Sequence, residues 1–294
     1  MATPHLAITP ELRRLLLAWL MEDLGRGDLT APALKDQWGN AFWMAKAPGV
    51  FCGGVLLAPL LSALDPGGDH VVRLLVNEGQ SIAAGDRLLE LEGSAHVLVA
   101  MERTALNLAM RLSGIATATA ALVMQLQGTG VHLVDTRKTT PGLRCLEKYA
   151  VRCGGGRNHR MALDDAAMLK ENHLAWAGGV AAAVAAVRQE APWPTQVIVE
   201  AETAVEARAA VMAGADGVLL DEFSPSDLTL LVDELRQMAK ARPGATPVIL
   251  EASGVDPAEL KAYAATGIDL ISTSAPVTRS SWLDLSMRFT PAEG

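Results

Sequence analysis

The spacing of apolar residues divides the chain into two parts. In the first hundred residues, short segments such as VVRLLVNEG and LLELEG are separated by glycine-containing turns, which predicts an antiparallel sheet. An apolar stripe with helical spacing predicts an amphipathic helix over residues 12–24. A longer helix is predicted from Val99 to about Gln127, where Gly128-Thr129-Gly130 ends it.

From Val131 onward, short apolar runs alternate with alanine-rich helical stretches. Continuous rather than alternating apolar runs are typical of strands buried on both faces. The predicted strands are HLVDT (132–136), MLKEN (168–172), QVIVEAE (196–202), GVLLDE (217–222), PVILEAS (247–253) and IDLISTS (268–274). The similar segments GADGVLL (214–220) and TGIDLIS (266–272) each follow a helical stretch. Repeated βα units of this kind predict a parallel sheet or a barrel.

Charged residues stand at or just past the C-terminal ends of five predicted strands, at Asp135, Lys170, Glu200, Asp221 and Glu251. Any one of them is consistent with a charge that merely terminates a strand. Four carboxylates and a lysine from five strands converge only if the strands close into a ring. The pattern therefore favours an α/β barrel, whose C-terminal face is the active face.

Composition limits the classes of protein that fit. The chain has 294 residues, half of them apolar and 20% charged, with a formal net charge of −8. This suits a globular protein of one or two domains, and the acidic balance argues against general nucleic-acid binding. The N-terminus lacks a signal-peptide pattern, and the uncharged, alanine-rich run 174–187 is too short to span a bilayer. We therefore expect a cytoplasmic protein that does not enter a membrane.

Cys52, Cys145 and Cys153 show neither a C-x-x-C motif nor zinc-ligand spacing. Free thiols in a reducing cytosol are the simplest expectation. A disulfide between Cys145 and Cys153 is the alternative.

The segment from Asp135 to His173 is a cationic island in this acidic chain. It holds eight Lys or Arg against five acids, a formal charge of +3. The cations are interleaved with Thr140-Pro141-Gly142 and Gly154-Gly155-Gly156, which is the composition of loops rather than of a solvated helix face. Clustered like charges indicate a site for an anionic ligand.

The same segment carries a family resemblance. DTRKTTPGLR, EKYAVRCGGGRNHR and LKENH resemble the signature of quinolinate phosphoribosyltransferase, the carboxylating nicotinate-nucleotide pyrophosphorylase of NAD biosynthesis. The similarity continues in ERTALNLAMRLSGIATAT (102–119), LLDEF (219–223), EASG (251–254) and LDLSMRF (283–289). A molybdenum-associated family shares the start DTRKT, but EKYAVRCGGGRNHR sets the present chain apart from it.

The resemblance implies an N-terminal α/β open sandwich followed by a C-terminal, incomplete, seven-stranded α/β barrel. The strand pattern itself does not distinguish a partial barrel from a full one. The implied domains are residues 1–115 for the sandwich and 116–275 for the barrel, with 276–294 returning to the sandwich.

The implied reaction joins quinolinate to phosphoribosyl pyrophosphate and releases nicotinate mononucleotide, CO₂ and pyrophosphate. Quinolinate is a planar dianion, and arginine donates bidentately to carboxylates. The residues that match the family's quinolinate contacts are Arg103, Arg137 and Arg160, with His159 and Lys170 beside them. His159 has an alternative interpretation, as a histidine bonded to backbone at a helix end.

Phosphoribosyl pyrophosphate is a polyanion that travels with Mg²⁺, a cation that needs only one or two carboxylates from the protein. By resemblance, Glu200 and Asp221 contact the ribose and the hydrated metal, while Lys138 and Lys170 stabilise the leaving pyrophosphate. These four are the implied catalytic residues. The implied contacts with the 5′-phosphate of this substrate are Ser253, Gly254, Val255, Ser274 and Ala275. Thr136 is a further implied substrate-binding residue. Val255 replaces a glycine common in the family, and the last loop, Thr273–Val277, also departs from its pattern.

The resemblance also places Arg103 in the active site of a neighbouring subunit, which predicts a head-to-tail homodimer with each site completed in trans. A higher oligomer is left open. Two other functions compete with this interpretation. Lys170 on a barrel strand also suits Schiff-base chemistry, although the surrounding arginines favour a polyanion. A non-catalytic sensor of phosphate ligands is disfavoured because both Glu200 and Asp221 are present.

Overall fold

The computed structural model describes residues 3–34, 37–242 and 246–290. The first two residues of the predicted domain 1–115 and the last four residues of the predicted segment 276–294 lie outside the described residues. The α-helices are α1 Pro10–Leu24, α2 Leu57–Leu64, α3 Ala95–Gln125, α4 Arg144–Cys153, α5 Glu171–Ala177, α6 Val180–Glu190, α7 Ala204–Met212, α8 Pro225–Ala241, α9 Leu260–Ala264 and α10 Ala275–Arg279. The strands are β1 Trp38–Ala45, β2 Gly49–Val50, β3 Val71–Leu74, β4 Ser81–Ile82, β5 Arg87–Ser94, β6 His132–Val134, β7 Ala167–Leu169, β8 Val197–Ala201, β9 Gly217–Asp221, β10 Ile249–Ser253, β11 Leu270–Ser272 and β12 Leu285–Thr290.

The chain forms two units. The first comprises residues 1–120, 140–155 and 279–294, and the second comprises 121–139 and 156–278. Residues 140–155, which the sequence assigned to the barrel, group with the first unit because α4 packs there. The cationic island is therefore divided, and α4 carries its members Arg144, Lys148 and Arg152.

The predicted antiparallel sheet of the first unit is confirmed, in the order β12-β1-β5-β3. Trp43 of β1 is fully buried and lies opposite Leu89 of β5 and Met287 of β12. Strand β1 was not predicted. In WGNAFWMA, buried residues alternate with partly buried apolar ones such as Phe42, so the apolar–polar alternation of a half-buried strand is missing.

The two helices predicted in the first part of the chain are present. Helix α1 begins at Pro10, where the Thr9 hydroxyl accepts the Leu12 N–H at 3.2 Å, and it buries one leucine stripe. Helix α3 begins at Ala95, four residues before the predicted start. A Cβ at Gly114 of α3 would lie 2.0 Å from the Ser281 carbonyl oxygen, so only glycine lets this segment pass so close.

Helix α3 is long and apolar enough, by length and composition, to cross a membrane, and 44% of its most apolar stretch is buried. A core helix meets the same test, and Met101, Leu106, Ala109 and Leu112 of α3 are buried. That the chain does not enter a membrane stays a prediction.

The three cysteines are free, as expected, with Cys52 and Cys153 buried and Cys145 exposed. Cys145 and Cys153 stand at opposite ends of α4, about 12 Å apart along the helix axis, which is too far for a disulfide. The alternative disulfide is therefore wrong.

The second unit contains a six-stranded sheet in the order β6-β11-β10-β9-β8-β7. Neighbouring strands are parallel, which confirms the α/β prediction. Arg157 adds a single parallel bridge to Val134 at the β6 edge. Among the described residues no strand pair closes the sheet between this edge and β7, so the sheet is the incomplete arrangement and not a full hydrogen-bonded ring.

The predicted strands are too long at their ends. The segment 168–172 stops being a strand at Leu169, because Lys170 is the N-cap of α5 and donates its N–H to His173 Nδ1 at 3.1 Å. Similarly, β6 ends at Val134, two residues before the predicted end. In both cases charged residues of the strand ends lie on loops.

The two similar segments at 214–220 and 266–272 make equivalent hydrogen bonds. Asp216 accepts from Val197 N at 2.7 Å and from Arg188 at 2.6 Å. Asp269 accepts from Leu250 N at 2.8 Å and from an arginine of α8 at 2.9 Å. Each aspartate ties the start of a neighbouring strand to a helix, so the sequence similarity corresponds to a repeated structural unit.

Candidate active site

The charged residues of the parallel strands share one face of the sheet. In β8, Val197, Val199 and Ala201 pack into the core formed with the helices, which leaves Glu200 on the opposite face. Strand pairing places Glu200 beside Leu219 of β9, and Leu219 beside Glu251 of β10. By the same register and alternation, Lys170, Glu200, Asp221, Glu251 and Ser253 all lie on this face.

Lys170 and Glu200 form an ion pair on neighbouring strands. Leu169 is paired with Val199, so the next residue of each strand stands at the same level. The Lys170 side chain is 44% exposed and the Glu200 side chain 14% exposed. The Lys170 side chain is therefore accessible to solvent, whereas the Glu200 carboxylate that it contacts is more deeply buried.

Several carboxylates crowd together next to this pair. Glu171 raises the pKa of Glu202 above its usual range, and Glu206, Asp221 and Glu200 raise it further. A carboxyl group surrounded by other carboxylates holds its proton more tightly because negative charges repel. This end of the sheet therefore carries a concentration of negative charge that suits a divalent cation.

The segment 156–166 is anchored by a buried aspartate. Asp135 is 2% exposed and accepts the His159 backbone N–H at 2.8 Å and the Asn158 side-chain amide at 2.6 Å. A carboxylate so deeply buried needs several donors, and this loop supplies them. Asp135 thus holds the loop against the end of β6.

Both ring nitrogens of His159 are in contact with protein atoms. The Arg160 backbone N–H donates to Nδ1 at 2.7 Å, and Nε2 lies 3.2 Å from Glu251 Oε2. This is close to the interpretation in which the histidine bonds to backbone. The predicted role of His159 as a ligand group stays a prediction.

Arg160 is buried and lies near charges from distant parts of the sheet. Burial lowers its pKa most, the neighbouring Arg137 lowers it further, and Glu200 opposes both. Arg137 follows β6 and Glu200 belongs to β8, which are four strands apart in the sheet order. The sheet must therefore curve strongly enough to bring both near one guanidinium.

Arg160 also joins the two edges of the open sheet. Its Nη1 donates to the Ala166 carbonyl at 2.9 Å, immediately before β7. The loop that carries it begins at the Arg157 bridge to β6. The segment 157–166 thus spans the gap that strand pairing leaves.

The remaining predicted residues lie on loops at the same end of the strands. Thr136 Oγ1 accepts the Lys138 N–H at 3.0 Å, which fixes the turn after β6, and the Lys138 side chain is exposed. Beyond β10, Gly254 has φ +73°, and a Cβ there would lie 3.0 Å from Glu222 Cγ. Glu222 itself has φ 58°, so two left-handed residues adjoin at these loops.

In the loops after β10 and β11, two of the residues predicted to contact phosphate already have contacts within the protein. Val255 is buried in the helix–sheet core. The Ala275 N–H, predicted as a phosphate donor, is accepted by Thr273 Oγ1 at 3.1 Å. Ser253 and Ser274 are partly exposed at the strand ends.

Arg103 belongs to the first unit. It is exposed on α3 and lines a cavity of about 520 Å³ together with Trp19, Asn107, Pro141 and Trp282. The cluster on the parallel sheet belongs to the second unit.

Four residues around the cluster were not predicted as site residues. Asp135 and Glu251 carry a signal in the sequence, since both are carboxylates at the ends of buried strands. Glu202 and Asn158 carry none, because their positions depend on how separate loops meet.

An antiparallel unit combined with a curved, unclosed parallel sheet, whose charged residues gather at the strand ends, defines an enzyme of the α/β-barrel class. The chain belongs to the quinolinate phosphoribosyltransferase family. Residues 28–113 match the family's N-terminal domain and residues 115–288 match its C-terminal domain.

Relatives and solved structures agree with this assignment. A probable carboxylating nicotinate-nucleotide pyrophosphorylase of Synechocystis is 43% identical over 288 residues, which cover 97% of this chain and 93% of that protein. The human carboxylating nicotinate-nucleotide pyrophosphorylase is 38% identical over 288 residues, with 96% and 93% covered. The crystal structure of NadC from Streptococcus pyogenes has a TM-score of 0.88 at 34% identity, and the match covers 98% of this chain and 100% of that one.

Proposed function

We propose that this chain converts quinolinate and phosphoribosyl pyrophosphate to nicotinate mononucleotide, CO₂ and pyrophosphate, as a decarboxylating pentosyltransferase of NAD biosynthesis. The observation that carries the proposal is the placement of Arg160. A buried guanidinium beside a second arginine is unfavourable alone and becomes favourable when a dianion binds.

The two arginines account for recognition of quinolinate. Arg137 and Arg160 each offer a planar pair of donors, and two adjacent carboxylates accept such pairs. The fixed contact of Arg160 with Ala166 leaves the rest of its guanidinium for a ligand. Lys170, which lies on the sheet face that carries Glu200, is proposed as a further cation for the quinolinate carboxylates.

The carboxylates account for the sugar and the metal. Glu200 and Asp221 are proposed to hold the ribose hydroxyls and hydrated Mg²⁺ of phosphoribosyl pyrophosphate. The crowding that raises the pKa of Glu202 supports this, because a divalent cation offsets such repulsion and oxygen ligands suit Mg²⁺. When bound, the metal would neutralise charge on the pyrophosphate.

Little acid–base chemistry is required of the protein. The ring nitrogen of quinolinate is the nucleophile that attacks the sugar carbon as pyrophosphate leaves. Lys138 and Lys170 are proposed to stabilise the departing charge. The ring then carries a positive charge, and the carboxylate next to its nitrogen leaves as CO₂. The electron pair of the broken bond stays on that ring carbon, which takes up a proton from solvent to give the mononucleotide. Positioning and electrostatics therefore supply most of the catalysis.

Arg103 is proposed to complete the site of a second copy of the chain in a homodimer. It is an exposed arginine on a cavity wall of the first unit, whereas the other proposed ligand residues belong to the second unit. An exposed barrel face also needs a cover that removes water from a bound dianion.

The test is direct. Purified protein is incubated with Mg²⁺, phosphoribosyl pyrophosphate and quinolinate carrying ¹³C in its 2-carboxylate, while ¹³CO₂ and the mononucleotide are measured. Both products should appear in equal amounts, and nicotinate should be a very poor substrate because it offers only one carboxylate. Comparable kcat/KM for the two acids, or no mononucleotide, would contradict the proposal.

A further inference from the structure

Glu251 has contacts that the proposed reaction does not explain. It lies on β10, on the same face of the sheet as Lys170 and Glu200, and it is 3% exposed. Its Oε2 lies 3.2 Å from His159 Nε2, and its Oε1 is buried without a hydrogen-bond partner among the described residues. Its register neighbours, Leu219 and Leu270, are apolar.

A carboxylate in this position is costly to the fold. An ionised group with one unpaired oxygen between two leucines loses hydration that its single partner does not restore. A neutral side chain of similar volume would remove that penalty. The position therefore points to a use for the negative charge rather than to a gain in stability.

The use is visible in the imidazole of His159. Because the Arg160 backbone N–H donates to Nδ1, that nitrogen must carry a lone pair. The ring proton is therefore on Nε2, where it points at Glu251. A doubly protonated ring would set two N–H groups against each other at Nδ1. Glu251 thus favours one neutral tautomer, and that tautomer is the one able to hold the Arg160 backbone.

We propose that Glu251 is a positioning residue which, through His159, fixes Arg160 and so preorganises the dicarboxylate half of the site. The inference rests on the proposed function. It also divides the labour between two buried carboxylates. Asp135 holds the His159 backbone, and Glu251 holds the His159 ring. Both the main chain and the side chain of the residue before Arg160 are therefore fixed.

Kinetics of Glu251→Gln test the role. Because Arg160 would lose its fixed orientation, kcat/KM for quinolinate should fall by roughly 10- to 100-fold, while KM for phosphoribosyl pyrophosphate changes less than about twofold. His159→Gln should cause a similar loss, and the double variant should be little worse than either single one. Additive losses, or a selective rise in KM for phosphoribosyl pyrophosphate, would overturn the proposal.

Asp269→Asn is the matched control. Asp269 is another carboxylate of this sheet, and it accepts the Leu250 N–H. Unlike Glu251, it lies at the N-terminal end of the strands. The Asp269→Asn substitution should lower the melting temperature. The kcat/KM for quinolinate should stay equal to that of the wild type. An equal kinetic defect in this control would mean that Glu251 acts only through general stability.

A spectroscopic arm does not depend on turnover. In protein labelled with ¹⁵N-histidine, His159, assigned by the loss of its signal in His159→Gln, should show the Nε2–H tautomer with a low-field ring proton. Glu251→Gln should move that proton upfield because a neutral acceptor replaces a charged one. A Nδ1–H tautomer in the wild type would refute the inference. If the wild type shows the Nε2–H tautomer of His159 but does not turn over quinolinate, the proposed function is refuted and the positioning of His159 by Glu251 is not.

Discussion

Arg111 Nη2 lies 2.9 Å from Glu147 Oε1, which ties α3 to α4 within the first unit. Glu147 is fully buried and also accepts the Thr140 backbone N–H at 2.8 Å and the Thr140 hydroxyl at 2.9 Å. The pair holds together two segments that are distant in sequence, and its environment makes it sensitive to the loss of either partner.

Glu147→Ala should lower the melting temperature measured by calorimetry. Removing one partner leaves a guanidinium with reduced compensation, which costs about 3 kcal/mol, the low end for broken buried pairs. The control is Glu234→Ala, which breaks the exposed pair with Arg208 and should change little. Equal shifts in the two variants would show that burial does not distinguish these ion pairs.

Arg160→Lys should impair quinolinate use even though charge is kept. An ammonium lacks the two parallel donors of a guanidinium, so kcat/KM for quinolinate should fall roughly 100-fold, equivalent to about 2.7 kcal/mol. Arg157→Lys alters an exposed side chain of the same loop and should have little effect. If Arg160→Lys retains full kcat/KM, Arg160 does not grip the substrate.

Glu200→Gln and Asp221→Asn should separate the two substrates. Calorimetry should show that both variants lose affinity for phosphoribosyl pyrophosphate with Mg²⁺, while quinolinate affinity stays within about threefold, under 0.7 kcal/mol. Because Glu200 also pairs with Lys170, the Glu200→Gln substitution should cause the larger loss of affinity for phosphoribosyl pyrophosphate. Lost quinolinate binding with intact phosphoribosyl pyrophosphate binding would reverse the assigned roles.

Mg²⁺ with phosphoribosyl pyrophosphate should lower the pKa of Glu202. In the free protein, repulsion from Glu171 and its neighbours raises this pKa above the usual 4.5, so ionised Glu202 disfavours the folded state at pH values above its folded pKa. That unfavourable contribution disappears as pH falls through the folded pKa. A bound divalent cation acts in the opposite direction to the repulsion. Carboxyl ¹³C titration measures the shift, and Glu234, whose pKa is lowered by Arg208, should not move.

Mixing Arg103→Ala and Lys138→Ala homodimers should restore activity. Each variant alone should be nearly inactive. With random reassortment, half of the dimers are mixed and contain one intact site, so activity should approach about a quarter of wild type if the sites are independent. No recovery despite proven mixed dimers would place Arg103 in its own subunit's site or in no site.

The sequence predicted the class of fold because its signals are local. Short apolar runs predicted every strand of the parallel sheet, and the glycines at 128 and 130 marked the end of α3 to within two residues. The ends of strands were less predictable. Lys170 was predicted at the end of the strand 168–172, yet it follows β7, and its N–H bonds to His173 in the first turn of α5. Whether a polar residue ends a strand or begins a helix is decided by partners three residues away.

The site was only partly predictable for a related reason. The side chains proposed to contact the substrates follow from motif and strand position, as with Arg160 and Glu200. The contact between His159 and Glu251 joins residues 92 positions apart, and nothing local in either segment encodes it. Likewise, residues 140–155 are contiguous with barrel residues but pack in the first unit.

The pairing order of the parallel sheet has a consequence for how the protein is made. Strand β6 is the first of this sheet to emerge during synthesis, yet its neighbour in the sheet is β11, the last. Until β11 arrives, one hydrogen-bonding edge of β6 lacks its native partner, and contacts of such long range slow folding. A nascent chain that stops short of β11 carries all the cations of the barrel loops without the strand that joins β6 to the rest of the sheet. Such chains are the ones on which a chaperone or a protease would act.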